Sequence, residues 1–204
     1  DLLNSNNYID SVPYNGLAES SLERIYLNSE SSLRQMKVTQ ASIYLYSKAQ
    51  ENGRKPRSSG SIRIADGINN LDIDGCIKEA TLRTISHLNY QPIETGKYLV
   101  CFTPEAFLDL IGAFSSIFNA RSILDGVSLS NKNSIGKKLA VPELSIIDYA
   151  LHPSNIGSFN FDGEGTPKQK ISLVEKGILK NLLHSEATAR EFGVKPTGHA
   201  GLGS

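Results

Sequence analysis

Few side chains in this sequence have the types and spacings that chemistry requires. There are four histidines, His87, His152, His184 and His199, and none has a second histidine three or four residues away, so no local zinc motif is present. Two cysteines, Cys76 and Cys101, are too few for a disulfide framework or a four-thiolate site. Both sit in apolar company and read as reduced core thiols of a cytosolic protein. The serine-nucleophile pattern G-x-S-x-G and the phosphate-binding Walker A pattern are missing, and the glycines of GHAGLG at 198–203 lack the spacing of a dinucleotide loop. One pair of carboxylates stands out. Asp162 and Glu164 lie between glycines in FDGEG, where they could bind a cation, hold a peptide amine, work as acid and base, or make Asx-type turn hydrogen bonds. A basic cluster, Arg54, Lys55 and Arg57 with Arg63 nearby, is flanked by Glu51 and Asp66 and has no interleaved aromatic, and it reads as a solvated hairpin end.

Around these residues the chain is electrically even, with 21 basic and 21 acidic residues among 204. The balance holds in each half, so neither a phosphate-binding face nor a dedicated DNA-binding domain is expected. An apolar share of 39% without a membrane-length run fits a folded, soluble chain of enough length to bury a core. It opens on Asp1, not Met, and ends in the glycine-rich GHAGLGS, which is the expectation for a piece of a longer chain.

The elements that must position the candidate residues follow from periodicity. Residues 1–35, rich in Ser and Asn, read as a loosely ordered lead-in with one strand-like run at 23–29. The run at 37–49 alternates Ile43 and Leu45 against Tyr44 and Tyr46, and 61–66 resumes the alternation after ENGRKPRSSG, which makes a β-hairpin with a long basic tip. A helix follows, capped by Asp74 and carrying Ile77, Ala80, Thr84, Ile85 and Leu88 on one face. KYLVCF at 97–102 reads as a strand buried on both faces. Thr103-Pro104-Glu105 then opens a second helix, whose seam runs from Phe107 to Phe118. Residues 121–160 form a connection too long to be idle. KQKISLV, the turn EKG at 175–177 and ILKNLLH form a second hairpin, and a short helix at 185–192 stops at Gly193. Hairpins separated by helices, with no repeated βαβ unit, predict an α+β fold of antiparallel sheet with two main helices, divided into a first part over 1–95 and a second over 96–204.

The block FDGEGTPKQKISLVEKGILKNLLHSEATAREFGVKPTGHAG at 161–201 resembles the TldD/PmbA family, whose members carry the names peptidase and modulator of DNA gyrase. The matching elements are the acidic glycine turn, V-E-K-G-I-L-K, Ala189-Arg190 with Gly193, and Pro196-Thr197-Gly198. Upstream, NSES at 28–31 and GKYLVCFTPEAFLDLIGAF at 96–114 are similar to the family's middle section. The likeness covers most of the chain, from about residue 23 and as far back as Ser11. On this likeness 1–95 is the end of an N-terminal α/β region and 96–204 the start of the C-terminal domain.

The resemblance implies a cytoplasmic, bacterial metallopeptidase system of two paired paralogues. The TldD-like subunit carries H-E-x-x-x-H and binds zinc with a later cysteine. Here the corresponding positions are Pro104, Glu105 and Asp109, so only the glutamate survives and no zinc is expected in this chain. It is therefore similar to the PmbA, or TldE, branch. The resemblance implies a non-catalytic subunit that pairs with a zinc-bearing TldD-like partner, or alternatively a stand-alone peptide-binding homodimer. Unfolded peptide is the implied substrate, and nucleic acid and membrane are not implied partners. Asp162, Glu164, Arg190 and His199, polar groups set among glycines, are the candidates for lining a peptide chamber.

Overall fold

A computed structural model describes residues 1–201 and divides the chain into two compact units. The first comprises Asp1–Glu23 and Lys37–Lys97, the second Arg24–Met36 and everything from Tyr98 onward. A single cut near residue 95 therefore misses one segment, the far end of the first hairpin, which counts with the second unit.

Three strands, whose first hairpin end counts with the second unit, form an antiparallel sheet in the order β1 (Ile9–Leu27), β2 (Leu33–Ala49), β3 (Arg57–Ala65). The lead-in expected to be loose is thus a 19-residue strand. Most of its side chains are exposed, so main-chain pairing holds it and not burial of alternate residues, which is why no apolar alternation marks it in the sequence. The β2–β3 register runs from Ala41↔Ala65 to Ala49↔Arg57. Helix α1 (Ile73–Ser86) covers one face of this sheet, and its contacts are small and polar. Ser47 and Thr84 hydroxyls meet at 2.8 Å, Thr84 also donates to the Ser59 carbonyl at 3.0 Å, and Cys76 and Ala80 are fully buried. Asp72 caps α1 by accepting from the Gly75 N–H at 2.9 Å. The expected cap, Asp74, lies instead in the first turn, where a carboxylate still favours the helix dipole. Beside it Glu79 bridges Arg63 and Arg83, each at 2.5 Å. The Ser61 hydroxyl, with these guanidinia, holds the Glu79 carboxyl below its ordinary range. Arg63 is thereby committed to α1 and separated from the basic tip.

The second unit has its core in Phe118, Ala120, Ile123, Leu173, Val174, Leu179 and Leu182. Its antiparallel sheet has the order β4 (Ile146–Tyr149), β5 (Lys170–Glu175), β6 (Ile178–Leu179). Between β5 and β6, Lys176 and Gly177 take positive φ angles of 48° and 78°. A Cβ on Gly177 would collide with the Ala140 carbonyl oxygen, so the tight turn needs glycine there. The long connection is not structureless: it contains α3 (Ala120–Leu124) and β4. The hairpin end at 24–36 joins this unit through Arg24, 4.0 Å above the Phe159 ring, and through the Asn160 N–H, 3.2 Å from Met36 Sδ.

Residues 97–102 form no strand, and Leu99, Val100 and Phe102 are exposed. Their apolarity joins no sheet among the described residues, so the expected two-sided burial does not occur. Cys101 is exposed with them, while Cys76 is buried as expected. Helix α2 (Pro104–Ala113) begins where Thr103-Pro104-Glu105 predicts, with Thr103 Oγ1 accepting from the Ala106 N–H at 3.3 Å. It is shorter than expected and buries no residue, and only Phe118 of the expected seam is fully inside, beyond a 3-10 turn at Ser115–Phe118. Helix α4 (Glu186–Phe192) has the Ser185 cap and ends at Gly193. No helix among the described residues is long and apolar enough to cross a membrane.

Candidate functional site

The acidic glycine turn folds around Asp162. Its N–H donates to the Thr166 carbonyl at 3.0 Å, and Phe161 bridges Pro167, which closes the loop 161–167. The Asp162 side chain is 2% exposed. One oxygen accepts from the N–H groups of Glu164 and Thr166, both at 2.9 Å, and the other from the Ala200 N–H at 2.9 Å. Three backbone donors converge on one buried carboxylate, which ties this loop to the chain's later PTGHA segment. Of the roles open to Asp162 in the sequence, the turn-forming one is the one its geometry performs.

Glu164 is held differently. One carboxylate oxygen accepts from the Glu186 N–H at 2.8 Å, at the start of α4, where Ser185 and Thr188 form a reciprocal capping box. Its second oxygen accepts no hydrogen bond among the described residues. The side chain is anchored with acceptor capacity left over.

His199 lies across from it in the PTGHA segment. A Cβ on Gly198, where φ is +78°, would stand 2.7 Å from the Pro167 carbonyl oxygen, so this close approach needs glycine. The His199 ring is engaged at both nitrogens: Nε2 lies 3.0 Å from Asp148 Oδ1 on β4, and Nδ1 lies 2.9 Å from Thr197 Oγ1. Thr197 Oγ1 also accepts from the His184 N–H at 2.7 Å and lies 3.2 Å from the His184 carbonyl. With a neutral ring, Thr197 donates to Nδ1 and Nε2–H donates to Asp148. With a charged ring, Nδ1–H donates to Thr197, whose hydroxyl turns to the His184 carbonyl. Either state leaves every partner satisfied. Hydrogen bonding to His199 holds the Asp148 carboxyl below its ordinary value, against the opposing effect of burial. His184 itself is buried edge-on to Phe192, with ring centroids 5.1 Å apart, and burial pushes its pKa down.

A cleft of about 470 Å³ opens beside these groups, lined by Asn119, Arg121, Glu164, Leu183, Ser185 and His199, among others. The parallel bridge Asn119↔Leu183 forms part of its wall. Two of the four chamber candidates, Glu164 and His199, thus share one cleft, and Asp162 lies buried within the loop that carries Glu164. Arg190 does not line it: its side chain is 81% exposed on α4 and pairs with Glu186 at 3.8 Å. Asn119, Arg121 and Asp148 escape detection from sequence because they lie in the long connection or at its edge, where no pattern marks them.

Comparison with known proteins decides the family. The PmbA/TldA metallopeptidase C-terminal domain matches residues 95–204. The chain belongs to the PmbA/TldD family. A metalloprotease of Methanocaldococcus jannaschii is 29% identical over 184 residues, covering 87% of this chain and 40% of that protein. Metalloprotease PmbA of Escherichia coli O157:H7 is 27% identical over 185 residues, covering 87% and 39%. A crystal structure from Thermotoga maritima, described as a modulator of DNA gyrase, superposes on the whole chain with a TM-score of 0.91 at 27% identity and covers 47% of that protein. TldE from Thermococcus kodakarensis shares the fold, with a TM-score of 0.75 at 20% identity. The chain therefore spans about two fifths to one half of the length of these relatives.

Zinc, which the family's metallopeptidase character implies, finds no matching donor set in this part of the protein. Pro104 offers no donor, and Glu105 and Asp109 are exposed on α2 with no histidine beside them in the sequence. Among the described residues no three of His, Cys, Asp and Glu come together as a metal site.

Proposed function

We propose that this chain belongs to the PmbA, or TldE, side of the family: a subunit that holds no zinc of its own, works in the cytoplasm with a zinc-bearing TldD-like partner, and helps present unfolded peptides for hydrolysis on that partner. The observation that carries the reading is the state of α2. The positions that correspond to the metal-binding helix hold a proline, a glutamate and an aspartate, and a lone glutamate without metal-bound water has nothing to activate.

The cleft at Glu164 and His199 is the place where peptide is held in this reading. Glu164 has a carboxylate oxygen to offer a peptide N–H or amino terminus, and Arg121, which also lines the cleft and is paired with Asp125 through Nε and Nη2 at 2.9 Å, keeps its Nη1 hydrogens for a main-chain carbonyl. Because both His199 nitrogens are engaged, the ring presents its edge and face and not a free base. Any influence on gyrase passes through the handling of protein or peptide, since the chain is neutral overall.

The test is peptide hydrolysis by the full-length protein, measured alone and mixed with a TldD-like subunit. Activity that appears only in the mixture, and falls when Glu164 is replaced by Gln, is the expected result. Hydrolysis by this protein alone would overturn the reading. Peptide binding without hydrolysis in either case would favour the stand-alone binding homodimer instead.

A further inference from the structure

The first unit holds a second built cleft, unrelated to the family block. The turn that joins β2 to β3 is pinned to the chain that follows α1 by Arg54, whose Nη1 donates to the Leu88 carbonyl at 2.6 Å and to Asn89 Oδ1 at 3.2 Å. Its Nε pairs with Glu51 at 3.1 Å. Arg57, at the last rung of the ladder, has its guanidinium carbon 4.3 Å from the centre of the Tyr90 ring. A cation over an aromatic face is held in place without spending an N–H, and among the described residues Arg57 makes no ion pair or side-chain hydrogen bond. Lys55, between the two arginines, also pairs with nothing among the described residues.

These residues wall a cleft of about 710 Å³, and a second of about 480 Å³ shares Arg57, Asn89 and Tyr90 with it. In a chain of zero net charge, three cations here face a single carboxylate, Glu51. The tip expected to be a solvated hairpin end thus acquires an aromatic from far along the sequence, Tyr90, and a buried floor at Leu88.

We propose that this cleft binds a small phosphate-bearing molecule. A carboxylate ligand would need only one guanidinium, whereas a local excess of two positive charges suits a group that carries two or more negative charges near neutral pH, as a phosphate monoester or diphosphate does. The volume lies within the roughly 300–1,000 Å³ range of small-molecule sites. A nucleic acid strand is not favoured, because its repeating charge calls for a basic stripe and the rest of the chain is balanced.

Isothermal titration of the full chain with inorganic pyrophosphate and, separately, with ADP at about 50 mM salt tests the site. Both ligands are expected to bind one to one. Lys55→Gln and Arg57→Gln should each weaken binding about tenfold, while Lys78→Gln on α1, away from the cleft, leaves it within about twofold. Equal affinities assign the site to phosphate alone, and tighter ADP binding assigns it to a nucleotide with the base near Tyr90. Should Arg57→Gln fail to fold, Lys55→Gln decides alone, since Lys55 is exposed and unpaired. The proposal is overturned if neither ligand binds at about 10 mM, if the Lys55 variant binds as the wild type does, or if a single-stranded oligonucleotide binds while pyrophosphate does not.

Discussion

The loop around Asp162 and the helix α2 are both acidic stretches of one unit, and they are built on opposite principles. Asp162 is buried and meets three main-chain donors, so its charge organises the backbone of two segments. Asp109 and Glu105 lie on a helix with no buried residue. The contrast shows where this chain spends its polar groups: on shaping a cleft wall, and not on α2, whose carboxylates stay exposed. If that is right, substitutions in the two regions must differ sharply in cost.

The largest effect is expected at Asp162. Alanine there strips three half-buried N–H groups of a buried acceptor, each worth up to about 1–3 kcal/mol when left unpaired, so a loss of about 3 kcal/mol should appear in urea unfolding. A loss under about 1 kcal/mol would remove the distinction between the two regions. His184 comes next. Its folded pKa lies below the ordinary 6.5, so below that pH the unfolded chain takes up a proton that the native chain refuses. Stability should therefore fall on acidification from about pH 6.5 down to the native pKa, with a slope of up to about 1.4 kcal/mol per pH unit, and His184→Phe should flatten that part of the profile.

A smaller effect belongs to Asp148. Its carboxyl is held below the ordinary 3.8, so the stability it contributes is present above that value and is lost only as the pH falls through the lower native pKa. Asp148→Asn should cost about 1 kcal/mol at neutral pH and remove this acid-side component from unfolding curves. Asp109→Ala should lie within about 0.5 kcal/mol of wild type, as for an exposed residue without a buried partner. An Asp109 variant as damaging as the Asp162 variant would mean that α2 has a site the other side chains do not reveal.

What the sequence made legible follows a physical line. Caps and turns are local, so Thr103, Ser185, Gly193 and the EKG turn stand where their chemistry predicts. The β1 strand carries no apolar signal because pairing and not burial sustains it, and at 97–102 strong apolarity predicts a burial that the fold does not supply. In the cleft, FDGEG and His199 were visible as unusual chemistry. Their division of labour was not, since it depends on Ala200, Glu186 and Asp148, partners distant in sequence whose approach only the fold can supply. Arg190 was drawn in by its place in the family block, yet its i,i+4 partner Glu186 keeps it on the surface of α4. The aromatic partner of the basic tip is hidden for the same reason: Tyr90 is remote in the chain and near in space.

The central proposal, that the protein holds no zinc of its own, is tested most directly by metal analysis of the purified full-length protein after loading with zinc and extensive dialysis. The account predicts well under one zinc per chain. One tightly held zinc per chain, accompanied by peptide hydrolysis without a partner, would contradict it.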